Sequence, residues 1–421
     1  HVRVTRVALD LTLGMEAHLS LVVPDGLGWL LISDGRRVLR IDSAGRVVWS
    51  CDSTTTYTGT RIKGTTVPVY GASKKAFNKP SVARRVGTSN ILVADTGNNR
   101  IVLMDRAGNT LIEISEFKDS GDPPVLPPGS PLKLNTPTDV WMETRVGTGA
   151  DAGTMSYRFL ITDSGNHRII EVEAKYDQVT GRYSNVELIW ATRTLEQGKR
   201  YRYTNAGRYP KIGGGTEIIA VIDNYVPDST NPETTGGAIV TINESTGLID
   251  IDPNAGPMVR RYADAIGVKG TYRLVNPTFF TRQFKGDRFT DVIADANGIY
   301  VAEFMVDVPP SIAESMKPPY LAIKHVWRAP DPINSSLTIT GQRQLAVSNV
   351  QLLPNGNLLV TNKASCLDPR APGYDAQGEV FEIGFDPLSG SWVRGWPAPG
   401  SEIGQGSYPL EQPASAERLL Q

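Results

Sequence analysis

The feature that most constrains the fold of this chain is a short pattern that occurs twice. The segments 91–102 and 160–170 share Asp-x-Gly-Asn-x-Arg-Ile, with apolar residues on both sides. Apolar runs around a Gly/Asn cluster predict two strands joined by a tight turn, because Gly and Asn accept positive φ and Asp can bond to nearby backbone. The chain is therefore expected to contain repeated β units. The turn residues of the two copies are Asp95, Asn98 and Arg100, and Asp163, Asn166 and Arg168.

Weaker copies extend the repeat along the chain. Tryptophans keep the same register, with 141 residues from Trp49 to Trp190 and 137 from Trp190 to Trp327, each interval spanning two repeats. Dividing 421 residues by six copies gives a repeat of about 70 residues, whereas a four-stranded unit needs only about 40 to 50. Each repeat is therefore expected to carry insertions. The four weaker copies are 30–41, 218–242, 292–301 and 357–383.

The repeat resembles a known family. With a proline upstream (Pro80, Pro137) and an Asp-x-x-Gly turn downstream of the first copy (Asp105), it is similar to the NHL repeat of six-bladed β-propellers. The resemblance implies an all-β, six-bladed β-propeller (NHL-like) with long inter-strand insertions, in a single domain over 1–396. Residues 1–19 are a candidate ring-closing strand, and 397–421 form a Pro/Gly-rich C-terminal tail. The expected blades lie near 20–51, 79–117, 135–192, 213–253, 275–329 and 345–396.

The charged residues of the repeat are interpreted as structural. Asp95 with Arg100, and Asp163 with Arg168, recur at the same offset across the turn. A catalytic pair needs to occur only once, whereas a bracing pair is expected in several repeats. We therefore expect these side chains to bond turn amides and neighbouring strands.

The insertion 193–211 is the most distinctive segment outside the repeats. It interleaves cations with tyrosines, which are residue types enriched at interface hot spots. It is a candidate partner-binding surface, with an outer strand of exposed cations and half-buried tyrosines as the alternative. A net charge of −1 argues against a nucleic acid as the partner. The candidate residues are Lys199, Arg200, Tyr201, Arg202, Tyr203, Arg208 and Tyr209.

The sequence offers little catalytic chemistry. It holds four histidines and no phosphate-binding loop, hydrolase elbow or His-Glu-x-x-His zinc motif. The resemblance implies that a lyase is one activity this scaffold can support, but no family catalytic residue can be matched here. Lactonase-type propellers hold a central Ca²⁺, so a calcium ion in the central channel stays an alternative to a protein without a cofactor. Candidate carboxylates near strand ends are Asp139, Asp223, Asp291 and Glu303.

Two cysteines are compatible with a disulfide clip. Cys51 follows the outer strand of the first repeat and Cys366 lies in the sixth, so a closed six-fold ring would place their repeats side by side. A bond between them would indicate an oxidising compartment. Two unrelated thiols are the alternative.

The sequence thus predicts an extracytoplasmic or secreted binding scaffold that presents loops to a protein or glycan, as a subunit of an extracellular assembly. The alternative is a metal-dependent propeller enzyme, a lyase or lactonase type with its site in the central channel; binding is favoured over catalysis. No stretch of 18 consecutive apolar residues is present, so no membrane span is predicted. An oligomer is compatible with the sequence.

Overall fold

The computed structural model describes 26 segments of the chain. All structural statements below concern these segments. They are 29–34, 37–41, 47–52, 60–62, 65–67, 77–87, 89–105, 108–146, 155–177, 182–193, 201–211, 214–225, 236–249, 251–252, 256–257, 262–263, 271–272, 277–285, 288–295, 298–304, 321–327, 347–353, 356–362, 379–386, 391–396 and 413–419.

The described chain is all-β, with two single-turn 3-10 helices, Thr96–Asn98 and Ser164–Asn166. The strands are β1 (Trp29–Asp34), β2 (Arg37–Ile41), β3 (Val47–Asp52), β4 (Thr60–Ile62), β5 (Thr65–Val67), β6 (Val82–Val86), β7 (Asn90–Asp95), β8 (Arg100–Met104), β9 (Thr110–Ile114), β10 (Pro137–Val146), β11 (Met155–Asp163), β12 (Arg168–Asp177), β13 (Arg182–Ala191), β14 (Tyr203–Pro210), β15 (Thr216–Tyr225), β16 (Gly236–Ile242), β17 (Ile251–Asp252), β18 (Gly256–Pro257), β19 (Tyr262–Ala263), β20 (Thr271–Tyr272), β21 (Pro277–Lys285), β22 (Arg288–Asp295), β23 (Gly298–Phe304), β24 (Leu321–Trp327), β25 (Val347–Leu352), β26 (Leu358–Asn362), β27 (Glu379–Asp386), β28 (Ser391–Trp396) and β29 (Pro413–Leu419).

Six sheets of three or more strands follow one another along the described chain. The first has the order β29-β1-β2-β3, the second β6 to β9, the third β10 to β13, the fourth β14 to β16 and the sixth β25 to β28. The fifth has the order β21-β22-β23-β24-β19-β20, and only its β19–β24 pairing is parallel. Two-stranded sheets β4–β5 and β17–β18 lie in the insertions.

One strand at the same edge of each sheet is its inner strand: β29, β6, β10, β14, β21 and β25. The inner strands contact one another in cyclic order, and β25 contacts β29, which contacts β6. Neighbouring sheets therefore surround a common centre. This arrangement of sheets is that of a β-propeller.

Six apolar clusters fill the spaces between neighbouring sheets. In β1, Leu30 and Ile32 pack against the sixth sheet, whereas Leu31 packs against the second. Alternate residues of a strand point to opposite faces, so both faces of the sheet are buried. The clusters between the other sheets repeat this pattern. Burial on both faces explains why Ile91, Leu92, Val93 and Ala94 form a continuous apolar run rather than an alternating one.

Two segments differ from the prediction. The end of the insertion 193–211 is strand β14, the inner strand of the fourth sheet, so that sheet begins at Tyr203 rather than near 213. Residues 413–419, predicted as part of a tail, form β29 and pair with β1. The alternative for 193–211 was an outer strand, and the structure places a strand there at the inner edge of its sheet. The polar sequences of β14 and β29 carry only a weak apolar pattern. The candidate ring-closing strand 1–19 lies outside the described residues.

Candidate functional site

Five of the six inner strands line an open cavity of about 460 Å³. Its described wall residues come from β6, β10, β21, β25 and β29, together with neighbouring Gly87 and Leu92. Arginines, amides and threonines supply the polar part of the wall, and no Asp or Glu is among the described wall residues. Concave sites with a few convergent polar groups are the usual form of small-ligand sites. The polar wall residues used by this site are Arg84, Arg85, Thr144, Thr281, Arg282, Gln283, Asn349 and Gln351, with Trp141 beside them.

Arg84 reaches from β6 to the inner strand of the next sheet. Its Nη1 donates hydrogen bonds to Oδ1 of Asp139 and to the backbone oxygen of Val140. Its guanidinium carbon lies 3.9 Å from the centroid of the Trp141 ring, a cation–π contact. The ion pair is largely buried, with the side chains of Arg84 and Asp139 14% and 4% exposed. The guanidinium is thus fixed from one end and one face.

Asp139 is the centre of a hydrogen-bond chain across four inner strands. Its Oδ2 accepts a hydrogen bond of 2.6 Å from Asn205 Nδ2 on β14, and its Oδ1 accepts one of 2.8 Å from the Val140 N–H. Asn205 Oδ1 in turn accepts the backbone N–H of Phe280 on β21 at 3.2 Å. A buried carboxylate with these partners has its lone pairs satisfied. This chain of hydrogen bonds connects the inner strands that carry the cavity wall to one another.

Arg282 is a second buried wall cation with all three nitrogens engaged. Its Nε and Nη2 donate to the two carboxylate oxygens of Asp291 at 2.6 and 2.9 Å, and its Nη1 donates to Glu217 Oε1 at 2.7 Å. The guanidinium also stacks on Phe289, with 3.5 Å between its carbon and the ring centroid. Its side chain is 0% exposed. Arg282 therefore braces the fourth and fifth sheets.

The repeat turns use their polar residues within the turn. Asp95 Oδ1 accepts the backbone N–H of Asn78 at 2.7 Å, and Asp95 Oδ2 accepts Asn98 Nδ2 at 2.8 Å and Arg100 Nε at 2.7 Å. Asp163 repeats this geometry with Asn135, Asn166 and Arg168. Burial raises the pKa of the Asp163 carboxyl above its ordinary value, and the charge of Arg168 opposes that rise.

The turn glycines allow a close approach between segments. A Cβ at Gly97 would lie 2.6 Å from the side chain and from the backbone oxygen of Asn78, and Gly165 faces Asn135 in the same way. The residue that ends each turn is left-handed, Asn99 with φ of 55° and His167 with φ of 56°. The close approach explains the glycine of the sequence pattern, whereas the asparagine that follows it donates to the turn aspartate. The left-handed residue is the variable position after that asparagine.

Two of the seven candidate partner-binding residues lie in the core, and the described others are half-buried or exposed. Tyr203 and Tyr209 are 4% and 5% exposed, and Tyr201 is half-buried against the same cluster as Tyr203. Arg202 is exposed. Lys199 and Arg200 lie outside the described residues. The two buried tyrosines contribute to the packing of β14 rather than to an exposed surface.

Arg208 is engaged by three carboxylates between the third and fourth sheets. Its Nη1 and Nη2 donate to Glu171 at 2.9 and 3.0 Å, and its Nε donates to Glu244 at 3.0 Å, while Glu143 lies 3.5 Å from Nη1. Burial opposes the charge, but Glu171 and the other two carboxylates raise the pKa of Arg208 above its ordinary value. Arg208 is a brace between sheets.

The candidate metal carboxylates do not converge in the described chain. Asp139 and Asp291 are bonded to Arg84 and Arg282, and Glu303 is exposed on β23. Asp223 lies in β15, and its side chain is not described. Among the described residues no group of three or more His, Cys, Asp or Glu is placed to hold a metal ion. In the same residues no helix is long and apolar enough to cross a membrane.

The predicted disulfide is not shown. Cys51 is buried in β3, between the first and second sheets. Cys366 lies outside the described residues.

Sequence reasoning missed the wall residues Arg84 and Trp141. A signal for them exists in the prolines upstream of three repeats. An inner strand begins at or just after each proline, and the fourth residue after the proline lies in the cavity wall. Pro80, Pro137 and Pro277 place Arg84, Trp141 and Thr281 in the wall by this count. What the count cannot give is the partner of each residue, which comes from another repeat.

Comparison of the sequence with protein-family models and with curated proteins found no match. Solved structures gave three similarities of low identity. A structure titled "Structure of Dos1 propeller" is 9% identical over 93% of this chain and 69% of that chain, with a TM-score of 0.32. A streptogramin B lyase is 11% identical over 89% and 85%, with a TM-score of 0.32. The dihydro-heme d1 dehydrogenase NirN, in complex with DHE, is 9% identical over 94% and 76%, with a TM-score of 0.36.

Proposed function

We propose that this chain is a six-bladed, NHL-like β-propeller whose work is to bind a glycan or other small ligand in its central cavity. The six sheets, each buried on both faces against its two neighbours, support the blade count. The repeated turn geometry of Asp95 and Asp163 supports the NHL type. An extracytoplasmic location, with a Cys51–Cys366 bond, is part of the same proposal.

One observation carries the binding function: side chains of the cavity wall are hydrogen-bonded across neighbouring inner strands without a ligand. Arg84, Asp139 and Asn205 connect four inner strands, and Arg282 joins Asp291 to Glu217 behind the same wall. A site held in its binding geometry loses less conformational entropy when a ligand binds. The carboxylates nearest the wall are bonded to arginines, which favours recognition over acid–base or metal chemistry at this position.

Ligand-dependent thermal unfolding tests the proposal. The probes are glucose, galactose, glucuronate, galacturonate and citrate, each titrated until the effect saturates. A ligand at 100 times its Kd stabilises the folded state by about 2.7 kcal/mol, so a bound probe should raise the Tm measurably. We expect at least one probe to raise the Tm of the protein in a saturable manner.

A cavity-narrowing variant is the matched comparison. Thr144 lies in the cavity wall and is exposed, so Thr144→Trp adds volume there without entering a packed core. The variant should keep the Tm of the ligand-free protein and lose the ligand-dependent rise. The same rise in both proteins, or no rise with any probe, would overturn binding in this cavity.

A further inference from the structure

We propose that the ligand carries a carboxylate on a polyhydroxylated ring, a sugar acid, and that Arg84 receives the carboxylate through its Nε and Nη2. The inference rests on the proposed binding function and names the ligand class for the same cavity. The evidence is that only one of the three nitrogens of the Arg84 guanidinium is bonded to described residues, that the wall beside it is polar, and that the charged residues of the wall are arginines.

The donors of Arg84 are used on one side only. Nη1 serves both Asp139 and the Val140 oxygen, whereas Nε and Nη2 donate to no residue that the structure describes. Nε–H and the neighbouring Nη2–H form the edge that binds a carboxylate through two parallel hydrogen bonds. Arg84 lines the cavity. The edge that would receive a ligand carboxylate is therefore the edge that the described chain leaves to the ligand.

The guanidinium is already aligned for that contact. Asp139 and Val140 fix the Nη1 end, and the Trp141 ring fixes one face at 3.9 Å. A mobile arginine side chain loses rotamer freedom when it is fixed in a complex. Here folding fixes the side chain in advance. Arg282, with all three nitrogens bonded, shows the contrasting case of an arginine that the fold uses completely.

The charge of the described wall favours an anion. Arg85 follows Arg84 on β6 and also lines the cavity, and the described wall contains no carboxylate. Three carboxylates balance the charges of Arg84 and Arg282, but none of them is among the described wall residues: Asp139, Asp291 and Glu217.

The rest of the wall suits hydroxyl groups. Gln283, Asn349 and Gln351 offer amide donors and acceptors, and Thr144 and Thr281 offer hydroxyls. A cavity of about 460 Å³ with these groups in its wall suits a small ligand that carries many hydrogen-bonding groups. A ligand with a carboxylate at one end and hydroxyls around a ring satisfies both parts of the wall.

Isothermal titration calorimetry with three probes that share one ring tests whether the ligand carboxylate contributes to binding. Glucuronate, its methyl ester and glucose share the ring, and only glucuronate is charged. We expect glucuronate to bind at least tenfold more tightly than the other two. Digalacturonate and galacturonate distinguish the source: a tenfold preference for the dimer identifies the end of a glycan chain, and equal affinity identifies a free sugar acid; either agrees with the proposal.

Arg84→Gln should remove the preference for glucuronate, and Arg84→Lys should keep part of it because the charge remains without the fork. The matched control is Arg158→Gln. Arg158 lies on β11, is paired with Glu173 on β12, and is not among the cavity wall residues. It should bind glucuronate like the unmodified protein. If Arg84→Gln does not fold, because Asp139 is left buried without its partner, the comparison of glucuronate with its methyl ester still decides.

The outcomes separate the two proposals. Equal binding of glucuronate, the ester and glucose overturns the carboxylate and leaves the binding function intact. Binding of citrate but of no sugar acid overturns the proposal that the ligand contains a sugar ring. A wild-type preference that survives in Arg84→Gln overturns the role of Arg84. No binding of any probe overturns both proposals.

Discussion

The side chain of Asn99, in the turn of the second sheet, accepts a hydrogen bond from the backbone N–H of Thr136 at the entrance to the third, with 2.7 Å between Oδ1 and N. The contact joins two repeats through one side chain. The same left-handed position in the next repeat holds His167, whose Nδ1 is buried and has no hydrogen-bond partner in the described chain. The two turns therefore share their backbone conformation, but among the described residues only the Asn99 turn bonds the backbone of the next repeat in this way.

Replacing Asn99 by glycine isolates this bond. Glycine keeps the left-handed conformation at no steric cost, so Asn99→Gly should lose only the hydrogen bond and some chain entropy, about 1 kcal/mol in the free energy of unfolding. Asn99→Ala should be about 1 to 2 kcal/mol less stable than Asn99→Gly, because alanine has a Cβ at φ of 55° and lacks the local side-chain bonding by which asparagine tolerates this conformation. Urea unfolding measures both. Equal stability of the two variants would contradict the assignment of strain.

The close approach at Gly97 makes a second prediction. Gly97→Ala places a Cβ 2.6 Å from the backbone oxygen of Asn78, so the turn must shift and break the Gly97 N–H to Asn78 oxygen bond of 2.7 Å. We expect a loss of about 1 to 3 kcal/mol. The control is Gly87→Ala, where the Cβ meets nothing within 4 Å and only the positive φ of 61° opposes it. A smaller loss at Gly97 than at Gly87 would argue against the steric account.

The buried phenols of Tyr203 and Tyr209 lead us to expect that the protein loses stability at alkaline pH. Burial raises the pKa of both phenols above the ordinary 10.0, with the charge of Asp139 adding to the rise at Tyr209. Above pH 10 the unfolded chain therefore releases phenol protons that the folded chain keeps. Since fewer protons are bound in the unfolded state, the free energy of unfolding falls as pH rises, by about 1.4 kcal/mol per pH unit for each tyrosine.

Urea unfolding between pH 9 and 11.5 measures that slope, and absorbance at 295 nm follows the ionisation directly. Tyr209→Phe keeps the edge contacts of the ring with Trp141 and Phe280 but removes the phenol, so it should make the slope shallower. An unchanged slope in Tyr209→Phe would show that this phenol ionises normally in the folded protein.

The Cys51–Cys366 bond is tested by alkylation under denaturing conditions without reductant. If the bond forms, iodoacetamide labels neither cysteine until dithiothreitol is added. Reduction should then lower the free energy of unfolding, because a loop of this length contributes about 4 to 5 kcal/mol in the chain-entropy model. Full labelling of both cysteines without reductant would disprove the bond and remove its support for an oxidising compartment.

The repeats were predictable from sequence because their signal is local. In β7 and β8 the apolar runs, the glycine and the turn asparagine lie within twelve residues of one another. Each strand pairs with the next, so the pattern contains most of the information needed for the sheet. The NHL-like motif then predicted the all-β architecture that the structure shows.

Strand β14 was not predictable in the same way. Its sequence holds Asn205, Gly207 and Arg208 among tyrosines, and it resembles an exposed loop. It is buried because Asp139 and Glu171, from another repeat, bond Asn205 and Arg208, and because the Tyr209 ring fills the space above Gly207. These partners are 30 or more residues away in sequence. The cavity depends on such contacts, so the sequence predicted its scaffold but not its wall.

The pairing of β29 with β1 has a consequence for synthesis on the ribosome. Leu30 and Ile32 belong to the cluster that Ala416 completes, so the first sheet to leave the exit tunnel lacks an edge until Pro413–Leu419 has been translated. At about 5 to 20 residues per second, several hundred residues of waiting amount to tens of seconds. During that time β1 exposes an unpaired edge of the kind that recruits strands from other chains. Nascent chains of this protein are therefore expected to need a chaperone at their first sheet, and a stall late in translation is the point at which they are most prone to aggregate.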